Sequence, residues 1–176
     1  MKTSKTMKEY FDDFIVAKKA QGLANKTISS YQSQFRAISN HLDVTVPIEN
    51  ITKADLENMV ASMRNTNLAA NSISTYVRIL RVFLSWCNEE GITNLNMKPY
   101  KTEETIKETY SDSELQKLIK KPNLRKCNFA EYRSWVIVNL LLNNGCRAAT
   151  IRNIQNQDVD LDNQVIYLRH TKNKKA

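Results

Sequence analysis

The sequence predicts a mainly α fold, in which four amphipathic helices precede a smaller α+β part with a short sheet. Three observations support this prediction. Over residues 6–90, apolar side chains recur at intervals of three and four, the period of helices with one buried face. Only three glycines and three prolines interrupt the 176 residues, as expected for long helices and few tight turns. Residues 164–169 alternate as a strand does.

The first two helices are predicted over residues 6–21 and about 25–41. Gly22 ends the first helix, and Asn25 is predicted to cap the second. Each helix has an apolar face, formed by Tyr10, Phe11, Phe14, Ile15 and Ala17 on the first and by Ile28, Tyr31, Phe35 and Ile38 on the second.

Two further helices are predicted over residues 52–63, with Thr52 as cap, and over residues 71–90. Together the four helices form a predicted domain over residues 1–93, followed by a polar linker over residues 94–108. The buried stripes are Leu56, Met59, Val60 and Met63 on the third helix, and Ile73, Tyr76, Val77, Leu80, Phe83, Leu84 and Cys87 on the fourth.

Residues 109–176 are predicted to form a second domain of helices and short strands. Ser111 and Glu114 have the spacing of a capping box and open a helix to about Lys121. An evenly apolar helix over residues 131–144 is expected to be buried on several sides and to end at Gly145. The remaining predicted elements are a helix over residues 147–154, a strand near residues 159–161 and a strand over residues 164–169.

The charge balance indicates a polyanionic partner. Lys and Arg number 26 against 18 acidic residues, which gives a formal charge of +8 and a pI near 9.4. Residues 1–100 carry 12 basic and 9 acidic residues, whereas residues 101–176 carry 14 and 9, so the second part is the more basic. Solubility alone would explain a milder excess.

The sequence predicts a cytoplasmic protein without metal or cofactor. No stretch approaches the roughly 18 apolar residues of a membrane span, and residues 1–13 lack the apolar run of a signal peptide. Cys87, Cys127 and Cys146 are far apart and have no histidine partner at ligand spacing, so neither a disulfide framework nor zinc is indicated.

Three stretches resemble one known family. LANKTISSYQSQFRAISNHL (residues 23–42) and LAANSISTYVRILRVFLSWCNEEG (residues 68–91) are similar to the core-binding, SAM-like domain of tyrosine recombinases, or phage integrases. LLLNNGCRAATIRNIQNQDVDLDNQVIYLRHTKNKK (residues 140–175) resembles the first part of the catalytic domain of that family. The resemblance implies DNA strand exchange through a 3′-phosphotyrosyl bond in a full-length protein, without metal or nucleotide.

The resemblance also implies two catalytic residues. Arg147 matches the arginine that would hold the non-bridging oxygens of the reacting phosphate, and Lys172 matches the hairpin lysine that would protonate the departing sugar oxygen. Thr150 stands where the family usually has an acidic residue, which weakens the support for how Arg147 is oriented. The alternative is that both residues are solvated surface charges.

The resemblance further implies that the second and fourth helices face duplex DNA. Short polar side chains near helix N-termini suit phosphate contact, because free backbone N–H groups and the helix dipole act with them. The alternative is that Asn25, Asn71 and Ser72 are only helix caps. The predicted DNA-binding residues are Lys26, Ser30, Asn71, Ser72, Thr75, Arg78 and Arg81.

We therefore expect the N-terminal portion of a site-specific recombinase, which binds double-stranded DNA and self-associates on it in the full-length protein. A downstream His-x-x-Arg box and a nucleophilic tyrosine have no counterpart, and none of the seven tyrosines is assigned that role. The chain alone should bind DNA without cutting it. Two alternatives are a non-catalytic DNA-binding regulator or excision-type accessory protein with a recombinase-like clamp, and a helical protein-interaction module.

Overall fold

The computed structural model describes residues 5–102 and 108–169, and the chain divides into two compact units, Met1–Thr105 and Ile106–Ala176. The predicted mainly α fold with a small sheet is confirmed. The first unit contains α1 (Met7–Ala20), α2 (Asn25–Ile38), α3 (Lys53–Asn65) and α4 (Ala70–Glu89). The second contains α5 (Asp112–Ile119), α6 (Phe129–Asn144), α7 (Ala148–Arg152), β1 (Val159–Asp160) and β2 (Val165–Ile166).

An aromatic cluster lies at the centre of the first unit and joins three of its helices. Phe11 of α1 stacks on Phe35 of α2 with ring centroids 3.7 Å apart, and Phe83 of α4 meets Phe11 edge-on at 5.4 Å. Phe14 lies 5.6 Å from the Phe83 ring. The predicted apolar faces of α1, α2 and α4 are therefore the faces that form this core.

The irregular connection between α2 and α3 is held against the start of α1. The first backbone N–H groups of a helix have no partner within the helix. Here Met7 donates its backbone N–H to the Val46 carbonyl at 3.1 Å, and Lys8 donates to the Val44 carbonyl at 3.0 Å. Val44 itself is buried, so this connection completes the core as well as the helix end.

Residues 94–100, expected to form part of a polar linker, pack on the first unit. Leu95, Met97 and Tyr100 are partly buried against its core, and Asn88 of α4 donates its side-chain amide to the Leu95 carbonyl at 3.0 Å. The segment and α3 line a cavity of ≈ 640 Å³, whose α3 side includes Leu56 and Val60.

In the second unit, α5 and α6 pack on each other. The Trp135 indole of α6 donates to the Ile119 carbonyl at the end of α5, at 2.8 Å. The prediction that α6 is buried on several sides is wrong for the residues that the structure describes, since no side chain of α6 is fully buried. Ile137 and Leu142 are 37% and 46% exposed, because α5 and α7 cover only part of the helix circumference.

The hairpin of β1 and β2 is shorter than predicted. The strands pair antiparallel with Val159 opposite Ile166, so the strand near residues 159–161 does cover the next one. Regular pairing stops at Ile166 rather than Arg169, although the Tyr167 N–H still donates to the Asp158 carbonyl at 2.8 Å. The intervening turn places Gln164 at a positive φ of 55°, which delays the start of β2.

Several helix ends differ from prediction by a few residues. The second helix ends at Ile38 rather than His41, α5 at Ile119 and α7 at Arg152, whereas α3 continues to Asn65. Periodicity fixes helix ends poorly, because apolar residues beyond the last turn are also buried. None of the helices in the described part of the chain has the length and apolarity needed to cross a membrane.

Candidate nucleic-acid interface

Two of the predicted DNA-binding residues lie together on the outer face of α2. Lys26 and Ser30 are both exposed and are four residues apart, so their side chains are neighbours on the helix surface. The Ser30 hydroxyl accepts a hydrogen bond from the Gln34 side-chain amide at 2.9 Å, which leaves its own proton free to donate. The pair thus offers one cation and one hydroxyl donor to an anion.

The other five predicted residues lie on α4, over almost three turns of helix. Arg78 and Arg81 are exposed, and neither forms an ion pair within residues 5–102 and 108–169. Thr75 donates its hydroxyl to the Asn71 carbonyl at 2.9 Å, so only its oxygen lone pairs remain available. Asn71 is exposed and Ser72 is half-buried, and both lie within the first turn.

The N-termini of α2 and α4 carry no side-chain cap. Ala24 and Ala69 occupy the cap positions, so Asn25, Asn71 and Ser72 lie inside the helices and do not cap them. The prediction that Asn25 caps the second helix is therefore wrong, as is the alternative that these three residues are simple caps. Methyl side chains cannot accept a hydrogen bond, which leaves the first backbone N–H groups of both helices without a side-chain acceptor.

The remaining helices of the first unit are capped differently. Thr6 and Glu9 form a reciprocal capping box at α1, and Thr52 and Asp55 form another at α3. Hydrogen bonds from the backbone and hydroxyl of Thr6 hold the pKa of Glu9 below its ordinary value. The two helices without a side-chain cap are thus the two that the family resemblance assigns to DNA, while the other two helix starts are closed by side chains.

The two helices bring their predicted residues together only in part. Phe14 of α1 lies beside Tyr31 of α2 and Trp86 of α4, while Phe11 lies beside Phe35 and Phe83. From Phe11 to Phe14, the contacted residue moves towards the N-terminus of α2 but towards the C-terminus of α4. The two helices α2 and α4 therefore run in opposite directions. At ~1.5 Å per residue, Lys26 is ~14 Å along α2 from Phe35 and Asn71 is ~18 Å along α4 from Phe83. The N-terminal ends of the two sets, at Lys26 and Asn71, therefore lie in opposite directions from the aromatic cluster.

The candidate catalytic arginine lies at a defined position of the second unit. Gly145 ends α6 in the left-handed conformation with φ of 59°, and Arg147 follows as the N-cap of α7. The Arg147 side chain is exposed and forms no hydrogen bond or ion pair within the described residues. Thr150 is buried, so the position three residues later faces inward. Lys172, the second predicted catalytic residue, lies outside the described residues.

The strand leading towards Lys172 is anchored by a buried carboxylate. Asp158 is 3% exposed, and it accepts hydrogen bonds from the Gln155 backbone N–H at 3.0 Å and from Arg169. In the adjoining turn, Asn163 donates both its side-chain amide and its backbone N–H to Asp160, which lowers the pKa of that carboxyl. Sequence reasoning assigned no role to Asp158, since burial of a lone aspartate is not visible in a pattern.

Sequence reasoning also missed a concentration of cations in the second unit. Residues 117–133 contain six basic residues and one acidic residue. Charge counts over residues 1–100 and 101–176 do not reveal this local excess. The cations lie at the end of α5, in the following loop and in the first turns of α6.

Residues 7–91 match the family described as phage integrase, N-terminal SAM-like domain. In sequence, the chain is similar to the tyrosine recombinase XerA of Saccharolobus solfataricus (strain ATCC 35092 / DSM 1617 / JCM 11322 / P2). The two are 27% identical over 178 residues, which covers 94% of this chain and 56% of that protein.

Among solved structures, the fold is similar to a lambda integrase tetramer bound to a Holliday junction, with a TM-score of 0.72 and 19% identity over 91% of this chain and 45% of that one. It is also similar to a lambda integrase dimer bound to a COC′ core site, with a TM-score of 0.70 and 18% identity over 90% of this chain and 44% of that one. At this identity the likeness establishes the fold. The chain spans about half the length of these proteins.

Proposed function

Since residues 7–91 match the phage integrase N-terminal SAM-like domain family and the relatives support the tyrosine recombinase family, we propose that this chain binds double-stranded DNA through α2 and α4. The observation that carries the proposal is that both helices combine an uncapped N-terminus with exposed cationic side chains. Their N-termini lack side-chain caps, and their exposed residues include Lys26, Arg78 and Arg81. Helix N-termini without a side-chain cap and exposed cations both favour phosphate oxygens.

The charge of α4 is directed outward because its buried stripe is continuous. Ile73, Val77 and Leu80 are each at most 1% exposed, so the helix cannot rotate to bury its arginines. Guanidinium groups three residues apart on one side of a helix reach neighbouring phosphates of a DNA strand without large rearrangement. DNA binding of this kind is largely electrostatic, and its affinity falls as salt displaces the contacts.

Binding of the full chain to a labelled duplex across a salt series tests the proposal. We expect the logarithm of the association constant to fall linearly with the logarithm of salt concentration. In an Arg78→Ala, Arg81→Ala double variant, the slope should decrease in magnitude by about one to two, because up to two phosphate contacts are lost. Far-UV circular dichroism establishes that the variant is folded.

A matched control removes two cations from α1 instead. Lys8 and Lys19 are exposed and were assigned no DNA contact, so the Lys8→Ala, Lys19→Ala variant has the same net charge as the arginine variant. It should retain nearly the wild-type slope. An equal loss of slope in both variants would show that net charge alone drives binding, and absence of binding by folded wild type at low salt would reject the function.

For a complete recombinase that contains this chain, we propose a strand-exchange function in the cytoplasm, with protomers assembled on DNA. Arg147 would hold non-bridging oxygens of the reacting phosphate, since its exposed guanidinium forms no ion pair within the described residues. Lys172 would donate a proton to the departing sugar oxygen. An Arg147→Ala exchange in such a protein should reduce strand cleavage while leaving duplex affinity within about twofold, because the effect is confined to the transition state.

A further inference from the structure

Six cations are concentrated in one segment of the second unit, while all but one of the acidic residues in the described part of that unit lie elsewhere. Three acids, Glu108, Asp112 and Glu114, precede the segment, and the others are mostly in the hairpin at residues 158–162. We name residues 117–133 the α5–α6 basic segment. Its cations are Lys117, Lys120, Lys121, Arg125, Lys126 and Arg133.

The charge of the α5–α6 basic segment is not neutralised within the described part of the chain. All six cationic residues are exposed, and none of them forms an ion pair with a described residue. The one acid of the segment, Glu131, accepts a hydrogen bond from the Asn128 backbone as part of the α6 capping box. Six like charges repel one another, and an external anion relieves that repulsion.

The segment is ordered by contacts that leave its charged groups at the surface. The Lys121 ammonium lies 5.9 Å from the centre of the Trp135 ring, and the Arg133 guanidinium lies 5.8 Å from that of Phe129. In the loop, the Asn123 carbonyl accepts from the backbone N–H groups of Lys126 and Cys127. A pre-ordered cationic surface loses less conformational entropy when it binds than a flexible tail would.

A shallow groove runs beside these cations. It has a volume of ≈ 490 Å³, and its lining includes Lys117, Lys120, Trp135 and Val138 together with the one acid of the segment, Glu131. The Trp135 indole N–H already donates to the Ile119 carbonyl, so it is not available to a ligand. Two lysines against one carboxylate, which already accepts a hydrogen bond in the α6 capping box, make the groove lining cationic, and a cationic surface suits phosphodiesters better than a neutral ligand.

We propose that the α5–α6 basic segment binds the phosphate backbone of duplex DNA, as a second contact surface separate from α2 and α4. The inference rests on the proposed function, because it adds a contact to the same DNA ligand. Contacts of this type carry no sequence information, so the segment contributes affinity and salt dependence rather than choice of site.

The test uses the full chain and a Lys117→Gln, Lys120→Gln, Lys126→Gln variant. Among the described residues, these three lysines form no cation–π contact, whereas Lys121 and Arg133 do and are kept to preserve the fold. The control is a Lys8→Gln, Lys19→Gln, Lys98→Gln variant of equal net charge, whose lysines are also exposed. Binding to one labelled duplex is measured across a salt series, and the logarithm of the association constant is plotted against the logarithm of salt concentration. Relative to wild type, the slope should be smaller in magnitude by about two to three for the segment variant and by less than about one for the control.

The arginine variant of α4, measured in the same series, separates the two proposals. A reduced slope for Arg78→Ala, Arg81→Ala with a control-like slope for the segment variant would overturn this inference alone. The expected partner of the segment would then be an acidic protein surface rather than DNA. A reduced slope for the segment variant only would support the inference and reject α4 as the contact. No binding by wild type would reject both.

Discussion

Phe83 is the residue on which the packing of the first unit depends most. It is 0% exposed, and its ring lies within 5.4 to 6.4 Å of four other aromatic rings. We expect Phe83→Ala to lower the free energy of unfolding by about 3–5 kcal/mol, because the cavity cannot be filled by rigid neighbouring rings. Urea denaturation measures the change. Val16→Ala, at a side chain 66% exposed, should shift it by less than about 0.5 kcal/mol, and a similar loss in both would contradict this assignment.

At this scale, sequence patterns predict burial better than they predict polar roles. Phe11, Phe35 and Phe83 were all predicted in the core, since helical spacing determines which face is apolar. Asn25 was misread because a cap depends on a one-residue difference in where the helix begins. The catalytic assignment of Arg147 came from the family resemblance and stays a prediction, because an exposed arginine at a helix start has no distinctive pattern of its own.

At the scale of single helices, the capping boxes make stability depend on acid pH. The pKa of Glu9 is lowered by hydrogen bonds from Thr6, so ionised Glu9 stabilises the folded state. This contribution is complete above the ordinary value of 4.5 and is lost as pH falls through the lower pKa of the folded state. Replacing Glu9 by Gln removes the titration while keeping the size. The difference in unfolding free energy between wild type and Glu9→Gln should therefore be larger at pH 7 than at pH 3, and a constant difference would contradict this origin.

Elements differ in how far their sequence determines them. The starts of α3 and α5 were predicted, because Thr52 and the Ser111–Glu114 pair mark them locally, whereas α6 begins at Phe129, two residues before the predicted start. The length of β2 was not, since the turn before it sets Gln164 at a positive φ that alternation does not reveal. The start of α4 at Ala70 was missed by one residue because no capping side chain marks it.

The two units differ in the kind of core they have. All fully buried apolar side chains of the described residues belong to the first unit, whereas Thr150 and Asp158 are the buried residues described in the second. Sequence reasoning predicted strong burial of α6 because its composition is evenly apolar. Composition reports how much a helix gains from burial, but burial itself depends on the partners that pack against it. The packing of residues 94–100 on the first unit was not predicted either, because it also depends on the partners that the segment contacts.

This difference predicts that the units open at different free energies. Amides protected by a packed core exchange only through large-scale unfolding, whereas helices with exposed apolar faces exchange through local opening. We expect hydrogen exchange followed by mass spectrometry to show α1 and α4 exchanging more slowly than α6 by more than about tenfold, after correction for intrinsic rates. The dye ANS should bind wild type, because Phe129, Ile137 and Leu142 are exposed in α6. Equal protection of α4 and α6 without dye binding would mean that α6 is covered in solution, and would reject this account of the second unit.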